Sequence, residues 1–179
     1  MILPDFEIAR MCLNGLVTPF DSTLINPASL DVRLGKQILI EQEDGRAFVP
    51  FDISDYNTDT PFLLDPGEFI LAHTVEKFYV PDDVAGQFAL KSSVARSGIE
   101  HLMAGYIDPG FNNSVLTLEL KNARRNHPVF LWPGMRIGQI IWQRMAAVPA
   151  TSYRISGRYN DDHSATGSKG FPCSVEVSS

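Results

Sequence analysis

Between residues 25 and 145 the chain is a succession of short apolar runs cut by turn residues, and that punctuation restricts the fold more than any other feature. The runs are 37–41, 47–53, 68–73, 75–80, 85–90, 101–107, 114–121, 128–132 and 136–144. Pro50, Pro61, Pro66-Gly67, Pro81-Asp82, Asp108-Pro109-Gly110 and Pro133-Gly134 supply the breaks. Proline presets φ and glycine tolerates positive φ, so these sites favour chain reversal. Many short strands at this spacing predict an all-β sandwich or barrel. In INPASLDVRLG (25–35), Leu30, Val32 and Leu34 alternate with Asp31 and Arg33. That is a half-buried strand, with the acid and base as a solvated pair on its outer face. SDYNTDT (54–60) reads as a loop.

Two segments break the pattern. Residues 4–14 predict a helix, with Pro4 in the first turn, Asp5 and Glu7 at the positive end of the dipole, and Gly15 closing it. Phe6, Ala9 and Leu13 form its apolar face, which would plug one end of a barrel. After Pro149 the chain turns polar, rich in Ser and Gly, and aperiodic through residue 170. Such composition suits a disordered tail, or an arm that orders on a ligand or a neighbouring subunit. The expected organisation is a β domain over 1–150 and a flexible C-terminal arm over 151–179 that can close over a site.

Composition narrows the function. A net charge of −6 argues against a nucleic-acid surface, which needs an excess of Lys and Arg. No apolar run approaches the roughly 18 residues that span a bilayer. The start, MILPDFEIARM, lacks a basic stretch followed by an apolar one, so the cytoplasm is the expected location. Cys12 and Cys173 form no Cys-x-x-Cys, and His73, His101, His127 and His163 fit no zinc spacing. Arg124-Arg125 reads as a solvated turn.

Chemistry concentrates in Lys91–Asn122. In KSSVARSG, Ser92 can cap a short helix that Gly98 ends. Free N–H groups, hydroxyls, Lys91 and Arg96 would then converge on an anion, or the segment is a capped turn with two surface bases. In VLTLELK, Leu116, Leu118 and Leu120 share one face, and Val115, Thr117, Glu119 and Lys121 the other. If the second face meets solvent, Glu119 is unremarked. If it lines a pocket, Glu119 can shuttle protons. Asp108 opens a tight turn and offers an acceptor for a sugar hydroxyl.

Together these pieces resemble the dCTP deaminase family of the trimeric dUTPase superfamily. NPASLDVRLG (26–35), KSSVARSG (91–98), AGYIDPGF (104–111) with LTLELKN (116–122), and LWPGMRIGQI (131–140) match its motifs in order over roughly residues 1–150. The resemblance implies a mainly β, distorted barrel or jelly roll of the dUTPase-like type, with a short N-terminal helix and a C-terminal arm. It implies hydrolytic deamination of dCTP to dUTP and ammonia without a catalytic metal, with Mg²⁺ carried by the triphosphate and no zinc. It also implies a homotrimer with sites between subunits. By position, Glu119 is the acid/base, Ser92 and Arg96 steady the water and the reacting centre, and Ala104 offers a carbonyl to the water. Lys91, Ser92, Ser93 and Arg96, with Val94 and Ala95 between them, form the phosphate run. Asp108 meets the sugar, Thr117, Leu118 and Glu119 read the pyrimidine, and Gln139, Tyr153 and Arg158 fall at further contact positions.

The departures are specific. Lys91 stands where the family usually has Arg, and Met103 where it has Thr. One extra residue separates Asp108 from Glu119, to be absorbed as a bulge near Asn112-Asn113. Asp162 and Ser164 occupy the arm's Gln and Gly positions. Two other readings stay open: a dUTPase or a bifunctional deaminase–diphosphatase making dUMP, and a non-catalytic homologue that binds dCTP or dTTP.

Overall fold

The computed structural model describes residues 1–42 and 47–170. The chain opens with helix α1 (Asp5–Leu13), then β1 (Val17–Thr18), a 3-10 turn (Ser22–Leu24), β2 (Ile25–Asn26) and β3 (Ser29–Arg33). There follow β4 (Gln37–Glu41), β5 (Phe48–Asp52), β6 (Phe62–Leu64), β7 (Phe69–Tyr79) and β8 (Val84–Leu90). Helix α2 (Ser92–Arg96) precedes β9 (Ile99–His101), β10 (Tyr106–Ile107), β11 (Asn112–Asn122), β12 (Val129–Leu131) and β13 (Arg136–Arg144). A last short helix is α3 (Tyr153–Ser156).

The expected mainly β architecture holds, and the strands pair antiparallel throughout. One sheet runs β5-β4-β7-β11-β9, with β1 also on β7; a second runs β10-β8-β13-β3-β2; β6 and β12 form a separate ribbon. Both main sheets feed one core. Leu118, Leu120, Ile70 and Phe78 from the first meet Leu30, Phe88, Ile140 and Trp142 from the second, with the Phe78 and Trp142 rings 6.1 Å apart. Asn122, buried at the end of β11, donates to the carbonyls of Leu64 and His127 and accepts from Arg124 N, tying the ribbon to the sheet.

The sequence reading is corrected at several points. The helix buries Ile8, Met11 and Cys12, whereas Phe6 and Leu13 lie exposed. Both stripes have helical spacing, and only the position of β2 and β3 decides which one packs. The runs 68–73 and 75–80 form one continuous strand, kinked where they meet. There Val115 pairs with Lys77 but Thr117 pairs with His73, and Thr74 Oγ1 accepts from Leu116 N. The run 101–107 splits into the end of β9 and β10, and β6, three residues after Pro61, had too short a pattern to be seen.

Asp31 and Arg33 are not a solvated pair. Asp31 is fully buried, and its carboxylate takes Lys91 Nζ at 2.8 and 2.9 Å and Asn26 Nδ2 at 2.6 Å. Arg33 reaches the buried Glu76 through Nε at 2.7 Å and through its backbone N at 2.8 Å. Period-2 alternation locates a face but not what covers it, and here partners distant in sequence cover both faces of β3.

Residues 151–170, composed like a disordered tail, instead lie along β11. Beyond its three residues paired with β9, that edge of β11 carries unspent N–H groups, and the tail accepts from one of them: Val115 N donates to Asp162 O at 2.9 Å. Burial pushes the Cys12 thiol up to about 12, and Cys173 lies outside the described residues.

Two outcomes follow from these environments. Asp31→Ala leaves the Lys91 ammonium, itself three-quarters covered, without its carboxylate. It should lower unfolding stability by about 3 kcal/mol in urea titrations, and a change within error would mean the pair is not desolvated as described. Cys12 should resist iodoacetamide at pH 8 in the native protein and react once urea unfolds it, as read by peptide mapping; rapid native labelling would contradict its burial.

Candidate active site

Strand β11 delivers the central residue. Leu118 and Leu120 point into the core, so the alternation turns Thr117 and Glu119 to the opposite face. That face is not open solvent. It is one wall of a cavity of about 530 Å³ that Val115, Thr117 and Glu119 line from β11. Phe69 and Leu71 of β7 and Phe48 of β5 give the cavity an aromatic and aliphatic side.

Glu119 is three-quarters covered, and its Oε2 lies 3.2 Å from Nε2 of the almost fully covered His101. The two atoms are not aligned as a hydrogen bond, so each is a buried polar atom with its bonding capacity unspent. The imidazole packs against the Phe88 ring, centroids 4.7 Å apart, which fixes its position beside the carboxylate. His101 reads from the sequence as an ordinary strand-end histidine. Its signal was the β9–β11 pairing, which sets it opposite Leu120, one residue from Glu119.

The segment from Ala104 to Asp108 forms the next wall. Asp108 opens the expected turn, with Phe111 N donating to its carbonyl at 3.1 Å. Gly110 has φ +88, and a side chain there would run into the Ser152 hydroxyl, so glycine serves both the turn and the close approach of the arm. The one-residue excess before Glu119 is absorbed as expected. Asn112 pairs with Tyr79 and Ser114 with Phe78, leaving Asn113 as the bulged residue at φ 52.

The arm supplies the remaining wall through Tyr153, Tyr159, Asp162 and Thr166–Ser168. Tyr153 stacks near Phe111, centroids 5.9 Å apart, and its N donates to Pro109 O. Burial, with Asp108 as a smaller contribution, raises the Tyr153 phenol above its ordinary range. Thr117 Oγ1 accepts from Thr166 N at 3.2 Å, so the arm engages this hydroxyl directly. Asp162, an odd residue to place near phosphates, is neutralised by Lys169 Nζ at 2.7 and 2.9 Å. Among the sequence-derived candidates, Glu119, Ala104, Asp108, Thr117 and Tyr153 therefore share one cavity. Tyr159, Thr166 and the aromatic side are not among the candidates, and Asp162 enters only as a departure in the arm, because residues of a tail without periodicity carry no signal of where they dock.

The phosphate run lies elsewhere. Lys91, not Ser92, is the N-cap of α2, and no side chain caps the helix. Val94 is buried and anchors α2, while Ser92, Ser93, Ala95 and Arg96 are exposed. None of these six residues, nor Gln139 or Arg158, lines the Glu119 cavity. Gln139 accepts from Ser29 Oγ on the second sheet, and Leu118 sits beneath the cavity in the core. Among the described residues no Lys or Arg lines the cavity, although Asp108, Glu119 and Asp162 do. Among them also, no group of three or more His, Cys, Asp or Glu side chains is placed to hold a metal ion.

Comparison with known proteins sets this geometry in a family. A family model described as dCTP deaminase-like matches residues 2–145. The chain is 38% identical over 185 residues to the dUMP-forming dCTP deaminase of Streptomyces coelicolor, covering 96% of each chain. It is 36% identical over 187 residues to the dUMP-forming dCTP deaminase of Mycobacterium tuberculosis, again covering 96% of each. Among solved structures, the 2′-deoxycytidine 5′-triphosphate deaminase from Agrobacterium tumefaciens matches 80% of this chain with a TM-score of 0.64 at 22% identity, a likeness of fold. The match spans 48% of that longer chain. With a family model over most of its length and relatives well above 30% identity end to end, the chain belongs to the dCTP deaminase-like family.

Proposed function

We propose that this protein deaminates dCTP, and that the nucleotide leaves as dUMP. The observation that carries the first half is Glu119, an acid whose buried oxygen makes no hydrogen bond and stands 3.2 Å from His101 Nε2, in the wall of a largely apolar cavity. Deamination needs water delivered to C4, a proton placed on N3 and a proton given to the leaving amine. A single carboxylate facing the base can take the water's two protons in turn, placing one on N3 and passing the other to the leaving amine. The Ala104 carbonyl and a Ser92 hydroxyl would hold the water, reducing the entropic cost of attack. Arg96 would steady Ser92 and neighbouring charge. The chain lacks the H-x-E and P-C-x-x-C patterns by which zinc deaminases hold their metal, which favours this route. Asp108 and Tyr153 would receive the sugar. Mg²⁺ would accompany the phosphates, held by their oxygens and water.

The names of the relatives favour dUMP over the dUTP that the family resemblance first implied. In that reaction two waters are consumed. One replaces the C4 amine, released as ammonia, and one cleaves the α–β phosphoanhydride, releasing pyrophosphate. Asp108, exposed on the cavity rim, is the candidate to orient the second water.

The charge distribution supports sites shared between three copies. A nucleoside triphosphate carries several negative charges, and a wall that presents Asp108 and Glu119 with no described Lys or Arg in its lining offers them no counter-charge. Ser92, Ser93 and Arg96 sit exposed on α2, and among the described residues Arg96 makes no ion pair. A neighbouring subunit's α2 would complete the cavity, with Lys91 fixed by Asp31 as the strut of that helix. We place the assembly in the cytoplasm, where its substrate is made.

Glu119→Gln should remain folded and bind dCTP while ammonia release falls by about 10²–10⁴-fold. Turnover near the wild-type rate would remove Glu119 from the mechanism. Assays of ammonia, pyrophosphate, dUTP and dUMP from dCTP decide the product, and accumulation of dUTP without pyrophosphate would refute dUMP formation. Light scattering should report a trimer. Unfolding and co-refolding Glu119→Ala with Arg96→Ala should restore about a quarter of the wild-type activity, because random mixing joins two intact halves at that fraction of shared sites. No recovery, or a monomer, would overturn the shared site.

A further inference from the structure

Two departures from the family pattern, the extra residue near Asn113 and the altered arm, meet each other in space. Arg154 donates to Asn112 Oδ1 at 2.7 Å, and Asn112 N donates to Asn160 Oδ1 at 2.9 Å. The bulged Asn113 donates through Nδ2 to Asp161 Oδ1 at 2.7 Å and accepts from the Tyr79 hydroxyl at 3.0 Å. Asp161 has φ 62, a conformation that Asp tolerates better than most residues, and it turns the arm at this contact. Ser114 Oγ donates to Tyr159 O at 2.8 Å and accepts from Asp162 N at 3.1 Å.

A second fastening lies further along. Lys169 Nζ holds both oxygens of Asp162, donates to Arg158 O at 3.0 Å and sits 5.3 Å from the centre of the Tyr159 ring. Lys169 N donates to the Tyr159 hydroxyl at 3.2 Å. The arm is thus held to β11 over residues 154–162 and again where Thr166 N donates to Thr117 Oγ1, while Lys169 closes the arm on itself, and its inner side is the cavity wall. Every one of these fastenings joins one part of the chain to another, so none of them calls for phosphate.

We propose that the Asn112–Ser114 bulge is a receptor for the arm. On this inference the arm is closed over the Glu119 cavity by contacts within its own chain, and Asn113 and Lys169 are the positioning residues that hold the arm's wall in place. The extra residue gives the strand an outward-turned amide. The substitution of Asp162 into the arm gives Lys169 an anchor. Asn113 thus takes Asp161 and Lys169 takes Asp162, two adjacent acids of the arm. An arm held this way acts chiefly on binding of the nucleoside part, since Tyr153, Tyr159 and Thr166 shape the cavity while the proton-transfer residue stands on β11.

The test uses the full chain and amide hydrogen exchange read by mass spectrometry, without nucleotide. In the wild type, peptides within 153–168 should exchange at least about tenfold more slowly than an unstructured chain. Asn113→Gly keeps the left-handed backbone but deletes both side-chain bonds, and Lys169→Met deletes the ionic clasp while keeping bulk. Each should speed exchange in the arm by about tenfold or more while peptides from β13 stay unchanged. Lys169→Arg, which can still grip Asp162, should restore protection. The proposed deaminase reading adds a kinetic consequence: KM for dCTP rises about fivefold to tenfold in the two weakened variants and kcat stays within about twofold. Wild-type arm peptides that exchange at unstructured rates, or variants that exchange as the wild type does, would overturn the clasp. Loss of protection with no change in KM would overturn the positioning role. The exchange result decides the clasp even if the protein proves not to turn over dCTP at all.

Discussion

The register of β11 is the constraint on which the rest of the molecule depends. Side chains alternate along a strand, so a slip of one residue would send Glu119 into the core and Leu118 into the cavity. Leu118 and Leu120 are fully buried, and exchanging either with a carboxylate would cost several kcal/mol. The hydrophobic face thereby holds the polar one in place. Because the loop before β11 is one residue longer than the family pattern, the excess has to be lost before Thr117. It is lost at Asn113, where the chain takes a left-handed conformation that Asn adopts more readily than most residues.

The treatment of acids inside the fold separates structure from chemistry. Asp31 and Glu76 are the two fully buried carboxylates among the described residues, and each is met by a cation and further N–H donors. A buried charge without such partners costs more than most single contacts return. Glu119 is less deeply buried, yet one of its oxygens is sealed from solvent and has only a misaligned imidazole nearby. A fold that pairs its other buried acids and leaves this one unsatisfied holds it ready for something else. That contrast is stronger than the pattern of VLTLELK, which fits a solvated strand equally well.

What the sequence makes legible follows from the range of the interactions involved. Turn chemistry and two-residue alternation are local, so the all-β class, most strand positions, the Asp108 turn and the bulge can be read from the residues. The Asp31–Lys91 and Arg33–Glu76 pairs join residues 60 and 43 positions apart, and no local pattern announces them. The buried face of α1 was misread for the same reason: Phe6 and Leu13 have helical spacing, but β2 and β3 lie on the other side. The tail's docking place is what composition does not give. A disordered tail and an arm closing over a site both suit its polar residues, because its partners are backbone and amide groups of β11.

If the proposed function holds, the arm and residues 91–96 would divide the recognition of a nucleotide between two sources. The cavity wall built within one chain offers aromatic rings, hydroxyls and carboxylates, which suit a base and a sugar but repel phosphate. The cation on α2, Arg96, is exposed and does not line that wall, and it lies on the same short helix as the Ser92 and Ser93 hydroxyls. Asp162 would add to the repulsion were it not held by Lys169, so the clasp also removes a charge from the cavity rim. In the proposed trimer a second copy of the chain would join the two halves. On the proposed reading, the acid/base and the phosphate grip would come into register only in the assembly, and a lone subunit would hold Glu119 beside a cavity without a counter-charge for phosphate.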